Sequence, residues 1–329
     1  MEKREIVGRF APTPSGRMHL GNAFSAVMAW LAVRSAGGRM ILRIEDLDRQ
    51  RCKPEYICRL IEDLHWLGLD WDGGYGPDIP PSRWQQSRRS EIYETYFEKL
   101  KEKQPVYPCF CSRGQLHAAE APHASDGTPL YSGECRRLTD RQRQLKMREK
   151  EPAWRVAVPD EGIFFEDRNC GRVGENLKEE CGDFILRRAD GVYAYQLAVT
   201  VDDALMGVTQ VVRGCDLLHS APRQIWLQRQ WGFPQPEYAH LPLLCQPDGR
   251  RLSKREKDLD LGALRQKGVG PGQILGLIGF WAGFLEKPQP ISARELVPLF
   301  SWEKLQHSPH AAGSREEWKI IVKEQELPF

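Results

Sequence analysis

The amino-acid sequence predicts an α/β protein built on a parallel sheet, and three observations carry that expectation. An apolar run at Ile6, Val7 and Phe10 ends in a Pro/Gly-rich loop that reaches Gly21. A helical pattern follows from Asn22 to Ser35, with Phe24, Val27, Met28, Leu31 and Ala32 on one face, and Gly37-Gly38 ends it. Met40–Glu45 then reads as a second strand, charged only at Arg43 before its acidic end. Strand, loop, helix, strand is how a parallel α/β sheet begins.

Pro54 opens a second helix with Ile57, Leu60, Ile61, Leu64 and Leu67 on one side, closed by Gly68. A third spans Glu91–Lys103, with Ile92, Tyr96 and Leu100 facing inward. From Pro105 to about Asp183 the composition changes to cysteines, prolines and short strand-like runs (Arg155–Val158, Ile163–Phe165), with a basic helix at Arg141–Lys150. This stretch reads as an inserted subdomain. The sheet is expected to resume at Phe184–Arg188, turn at Asp190-Gly191, and continue through Ala194–Val201 and Val208–Arg213. Leu217–Trp231 reads as a helix, Leu241–Arg255 as a strand and basic loop. The rest reads as helical: Leu261–Lys267, Pro271–Leu285, Ala293–Phe300 and a charged stretch from Arg315. The expected organisation is therefore 1–104 and 184–258 as two halves of one catalytic unit, 105–183 as the insert, and 259–329 as a helical C-terminal region.

At 329 residues the chain exceeds one average domain, and 41% hydrophobic with 28% charged residues describes an ordinary globular protein. A net charge of +2 neither demands nor excludes nucleic acid, so any basic surface must be local. Charge-free apolar runs are too short for a membrane span, and the N-terminus, Met-Glu-Lys-Arg-Glu, lacks a signal-peptide core. Nine scattered cysteines suit a reducing compartment, so a cytoplasmic location is expected, and nothing calls for more than a monomer.

The first loop looks like a phosphate cradle. Pro12 and Pro14 stiffen it, Gly16 and Gly21 permit close backbone approach, and His19 stands where the loop meets the helix. A helix start offers free N–H groups and partial positive charge, and His19 adds a donor. A plain structural turn is the alternative. The second basic loop, Arg251-Leu-Ser-Lys-Arg255, follows a turn at Asp248-Gly249. A mobile lysine there, Lys254, suits neutralising a leaving triphosphate, while a solvated loop is the bland reading.

Together these stretches resemble the class I aminoacyl-tRNA synthetases. Pro-Ser-Gly-Arg-Met-His19-Leu-Gly21-Asn22 is similar to their "HIGH" signature and Arg251–Arg255 to their "KMSKS" loop, with arginine at its first and fifth positions. Arg43-Ile-Glu45-Asp46-Leu-Asp48, Trp66–Asp72, Tyr193–Asp203 and Val212–Asp216 resemble the glutamyl branch, across about residues 5–260. The resemblance implies a Rossmann-like catalytic domain with a parallel sheet, an inserted zinc-containing subdomain and a short helical C-terminal region. It implies Mg²⁺-ATP as substrate, held by Pro12, Ser15, Gly16, His19, Gly21, Asn22, Ser253 and Lys254, with His19 and Lys254 stabilising the transition state.

The chemistry of glutamate fits the same residues. Two carboxylates call for guanidinium forks, which Arg9 and Arg213 would supply, and the amino group calls for an anion, Glu45. Ala11 and Tyr195 would complete the pocket; structural ion pairs are the alternative for the charged members. Only residues 256–329 follow Arg255. That brevity resembles the glutamyl-Q tRNA(Asp) synthetase family, which activates glutamate without tRNA and esterifies it to queuosine in the anticodon stem-loop of tRNA(Asp). The resemblance extends to a structural Zn²⁺ on Cys109, Cys111, Tyr131 and Cys135, with His117 and His123 as substitutes and buried free thiols as the other reading. Basic residues around 136–150 suit RNA or simply a solvated helix face. Competing readings are a shortened glutamyl-tRNA synthetase charging the 3′ end of tRNA(Glu), a non-catalytic RNA-binding module, and a nucleotidyltransferase of the same superfold.

Overall fold

The computed structural model describes residues 5–76, 81–112, 130–252, 260–314 and 317–322. The strands are β1 (Val7–Phe10), β2 (Arg39–Leu42), β3 (Gly73–Gly74), β4 (Val106–Cys109), β5 (Ala153–Val156), β6 (Gly162–Asp167), β7 (Gly171–Asn176), β8 (Phe184–Arg187), β9 (Gln210–Gly214), β10 (Glu237–Leu241), β11 (Leu243–Cys245), β12 (Ala311–Ala312) and β13 (Lys319–Ile321).

The first predicted unit forms as expected. β1 pairs in parallel with β2, and the helix between them, Leu20–Ser35, is buried along most of its length. Its close seating depends on Gly8, where a Cβ would lie 2.3 Å from Val33 Cγ2. The principal sheet has the order β3-β2-β1-β9-β10-β6-β7, parallel throughout except for β7, which returns antiparallel on β6. β2 and β3 build outward on one side of β1, and β9 and β10 on the other. The chain thus reverses direction of travel at β1/β9, and a crevice opens beyond the carboxyl ends of those two strands.

Four expectations need correction. Ala194–Val201 was expected to be a strand, yet Tyr195–Leu205 is a helix with Leu197–Asp203 buried throughout. A short run apolar on every side does not distinguish strand from helix by its period. Phe184–Arg187 pairs with β5 in a separate antiparallel sheet, β4-β5-β8, rather than in the principal one. Ile163–Phe165, grouped with the insert, lies in β6, whose Asp167 pairs with Tyr238 of the principal sheet. The C-terminal region is not all helical: β13 adds in parallel to β11 and pairs antiparallel with β12. Trp318, Ile320 and Val322 are buried while Lys319 and Ile321 are half-buried, a period-two alternation of burial.

Apolar residues of the first helix, β1, β2 and the C-terminal helices share one large core, and a second core lies under Ser90–Lys103, Tyr195–Leu205 and Ala221–Trp231. Among the described residues no helix is long and apolar enough to cross a membrane. All nine cysteines are free thiols.

Candidate active site

His19 is the N-cap of the helix Leu20–Ser35. Its Nδ1 accepts from the Gly21 N–H at 3.1 Å, and Asn22 Oδ1 accepts from the His19 N–H at 3.4 Å. Because Nδ1 is an acceptor, the ring proton of the neutral imidazole sits on Nε2. Gly21 makes this fold-back feasible, since a Cβ there would lie 3.1 Å from His19 Cε1. The loop itself is tied to the second strand's exit, the Glu45 N–H donating to the Pro12 carbonyl at 3.0 Å.

A cavity of about 370 Å³ occupies the crevice at the β1/β9 switch. Arg9, Ala11 and Pro12 line it from β1 and the loop, Asn22 and Ser25 from the helix, Glu45 from beyond β2, Tyr195 from a helix start, and Arg213 from β9. Every proposed glutamate contact is therefore on one wall or another of a single cavity. Of the proposed ATP contacts, Pro12 and Asn22 line it. Ser15, Gly16, His19 and Gly21 are not among its lining residues, and His19 and Gly21 form the cap of the helix Leu20–Ser35. Ser253 and Lys254, like His117 and His123, lie outside the described residues. Arg251 does line the cavity, ion-paired to Asp216, another wall residue.

The charged walls are fixed by a buried network that sequence reasoning left unassigned. Arg43, fully buried, donates to Asp203 Oδ1 at 2.6 Å and Glu45 Oε1 at 2.9 Å. Arg9 pairs with the same Asp203 oxygen at 3.4 Å and donates to the Val212 carbonyl at 3.1 Å. Asp202 accepts from Arg89 Nε at 2.7 Å, Tyr93 at 2.8 Å and Gln86 at 2.9 Å. Burial opposes the charge on Arg43, but Asp203, Glu45 and Asp202 outweigh it and raise its pKa. Asp203 is likewise penalised by burial, and Arg43 and Arg9 prevail, holding its pKa low. Glu45 ends on the other side of the balance: burial raises its pKa, and Arg43 and Arg9 only partly offset this. It is the network member with room for a further cation. Burial also raises Tyr195, with Arg213 and Arg9 opposing and Glu45 and Asp203 adding, so its phenol feels all four groups at once.

Arg213 is held by three acceptors: His240 Nε2 at 3.0 Å, Gln224 Oε1 at 2.9 Å and the Leu217 carbonyl at 3.1 Å. These use three of the five guanidinium N–H groups and leave two for a ligand. Neither His240 nor its partner Asp167 carried a sequence signal, because nothing in linear order brings together two residues 73 positions apart.

A second cluster lies on the small sheet. The Sγ atoms of Cys109, Cys111 and Cys135 all fall within 4.8 Å of one another, with Cys111 and Cys135 3.6 Å apart. Tyr131 Oη is 3.8 Å from Cys111 Sγ and accepts from the Cys135 N–H at 2.8 Å. A tetrahedral metal with thiolate bonds of about 2.3 Å separates its sulfurs by about 3.8 Å, so these three thiols could hold a metal ion. The main-chain N–H of Phe110 donating to Cys135 Sγ at 3.3 Å favours the thiolate form such binding requires.

Residues 5–312 match the family of class I tRNA synthetases (E and Q), catalytic domain. The chain belongs to that family. The match spans the sheet, the cavity and the thiol cluster alike, and makes the protein a ligase of an ATP-using class. It is 49% identical over 312 residues to the glutamyl-Q tRNA(Asp) synthetase of Symbiobacterium thermophilum, covering 92% of this chain and 95% of that one. With the enzyme of the same name from Nitratidesulfovibrio vulgaris it shares 46% over 309 residues, covering 92% and 94%. Identity to the glutamate–tRNA ligase of Aquifex aeolicus is 40% over 321 residues, which is 96% of this chain but 65% of that ligase. Among solved structures, a glutamate tRNA ligase of Elizabethkingia meningosepticum in complex with its amino acid superposes with a TM-score of 0.76 at 27% identity, covering 94% of this chain and 67% of the other.

Proposed function

We propose that the protein activates L-glutamate with Mg²⁺-ATP in the absence of RNA and transfers the glutamyl group to queuosine at the wobble position of tRNA(Asp). The observation that carries this reading is the convergence of Arg9, Arg213 and Glu45 on one cavity at the sheet's switch point. Two guanidiniums suit two carboxylates, and a carboxylate with a raised pKa suits an ammonium whose arrival favours its ionised form. The higher identity to the glutamyl-Q enzymes than to the glutamate–tRNA ligase supports the acceptor assignment.

In the first step the α-carboxylate attacks the α-phosphorus of ATP and pyrophosphate leaves. The cap at His19 sets the imidazole and the helix N-terminus beside accumulating phosphate charge, and Lys254 is assigned as a further cation for the triphosphate. A hydroxyl of the queuosine cyclopentenediol then attacks the activated carbonyl and AMP departs. We assign zinc to Cys109, Cys111, Cys135 and Tyr131. It would brace the subdomain, where the basic helix supplies charge for RNA, and takes no part in either step. The chain would act as a cytoplasmic monomer, with the small sheet of β4, β5 and β8 and the basic helix as the RNA-contacting insert, the principal sheet as the catalytic unit, and 259–329 as a C-terminal region.

The reading is tested with labelled glutamate, total tRNA and nuclease mapping of the product. Glutamate-dependent pyrophosphate exchange without RNA, and label in the anticodon-loop fragment of tRNA(Asp), are expected. Exchange that needs tRNA(Glu), with label on the 3′-terminal adenosine, would establish the glutamyl-tRNA synthetase alternative instead. Lys254→Ala should abolish exchange while leaving the thermal melt unchanged.

A further inference from the structure

The assignment of Arg213 to a substrate carboxylate leaves open what keeps its guanidinium aimed. An unrestrained arginine has many rotamers, and a two-point carboxylate contact tolerates few of them. The answer lies one residue further into the core. Arg213 Nε is 3.0 Å from His240 Nε2, and His240 Nδ1 is 2.6 Å from Asp167 Oδ2. His240 is fully buried, Asp167 3% exposed and Arg213 6% exposed. We propose that His240 and Asp167 are positioning residues that orient Arg213 toward a substrate carboxylate, and that only the tautomer of His240 with its proton on Nδ1 does so. The proposal rests on the functional reading above.

The tautomer follows from donor and acceptor capacity. A guanidinium Nε can only donate, so the imidazole nitrogen facing it must offer a lone pair. The single ring proton is then on Nδ1 and points at Asp167. That carboxylate is itself immobilised by the N–H groups of Asn169 at 3.0 Å, Cys170 at 2.9 Å and His240 at 3.2 Å. The His240 carbonyl accepts from Asn169 Nδ2 at 2.9 Å, so the strand position is pinned as well as the ring. A second ring proton would set two donors and two positive charges against each other at Nε2.

The Leu217 carbonyl also lies within hydrogen-bond reach of the imidazole, and it already accepts from Arg213 Nη2. On its own strand, Tyr238 stacks at 6.2 Å with its phenol accepting from Gln228. On the turn Cys215–Ser220, packed against that strand, Asp216 pairs with Arg251 and His219 with Glu175. Across the sheet the facing charges are Asp167 and Arg213 themselves. Burial holds the imidazole below its ordinary pKa, with Asp167 opposing and Arg213 adding, which favours the neutral form.

The test is steady-state pyrophosphate exchange with glutamate and ATP varied separately. Removing the acceptor in His240→Leu should raise KM for glutamate about tenfold or more, with KM for ATP little changed. His240→Gln can still offer an oxygen to Arg213 Nε and should recover most of the glutamate affinity. It lacks the imidazole ionisation, so the acid limb of its kcat/KM profile for glutamate should fall off with a slope smaller by about one. If His240→Leu misfolds by its thermal melt, the Gln variant and its pH profile decide alone. Unchanged glutamate KM in His240→Leu, a parallel rise for ATP, or an acid limb in His240→Gln identical to the wild type would overturn the proposal. Absence of glutamate-dependent exchange in the wild type would instead overturn the functional reading beneath it.

Discussion

The cavity at the β1/β9 switch and the thiol cluster on the small sheet both hold polar groups rigidly, and they do so by opposite means. Around the cavity, Arg9, Arg43 and Arg89 face Asp202, Asp203 and Glu45 between two large apolar cores. Low solvent access makes each pairing strong and each unpaired member costly, so the charges define one another's positions. Among the described residues the thiol cluster has no comparable mass around it. Its apolar core consists of Tyr107, Cys109, Phe110, Cys135 and Ala157, with Cys111, Tyr131 and Leu138 against them. So few buried side chains stabilise little, and small units of this kind usually depend on a metal or disulfide staple. One site is held by what surrounds it, the other by what it would bind.

The comparison breaks most readily at Arg43. Replacing it with methionine preserves volume but strands Asp203 and Glu45 without their shared cation. Removing one partner from a buried ionic network costs about 3–5 kcal/mol. Arg43→Met should therefore lose that much in urea unfolding, and glutamate-dependent exchange should fall with it because Glu45 loses its anchor. A variant as stable as the wild type would mean that the network orients the site without supporting the fold. Strong chelation probes the other region. Stripping metal should loosen 106–111 and 130–157, seen as faster amide exchange confined to those residues, while the principal sheet keeps its protection. The expected loss is about 2–3 kcal/mol locally, below that of the arginine because the module's core is small. Uniform exchange with and without chelator would mean that the thiols stand unaided.

The same contrast explains what the sequence could tell. Arg9, Glu45 and Arg213 could be singled out before any geometry because a dicarboxylic amino acid calls for two guanidiniums and an anion at the strand ends, and the cavity contains all three. Three cysteines and Tyr131 stood out only through the family resemblance, Cys-x-Cys alone being a weak signal, and the structure brings them together. Partners were harder. Asp202 and Asp203 appear only as neighbours in a motif, and nothing in linear order says that one serves Arg89 and the other Arg43 and Arg9. His240 and Asp167 meet because β10 pairs with β6 across 73 residues, a register the sequence does not encode locally. The secondary-structure errors share that origin. Leu197–Val201 is apolar on every side, so tertiary packing chose helix where periodicity was silent. At Trp318–Val322 the burial alternates, but Trp-Lys-Ile-Ile-Val itself gives no clean period-two pattern to read.

Asp63 sharpens the comparison with the smallest effect. It lies in the same apolar core as the charge network but outside it, on the helix Pro54–Trp66, and among the described residues its one ion-pair partner is Arg265 at 3.2 Å. Its Oδ2 is buried with no hydrogen-bond partner among the described residues. Burial pushes its carboxyl up to about 6, although Arg265 and Arg17 pull it down. Since the folded pKa exceeds the unfolded value of about 3.9, folding favours the protonated form. The stabilisation is complete below pH 4 and is lost as the pH rises through the folded value. Asp63→Asn has no proton to lose. Its melting temperature relative to the wild type should therefore climb between pH 4 and pH 7, by a few degrees at most, because Arg265 is part-exposed and screens the charge. A difference that stays flat with pH would mean that Arg265 satisfies Asp63 as fully as three arginines satisfy Asp202 and Asp203, and that the network's extra partners serve geometry rather than charge.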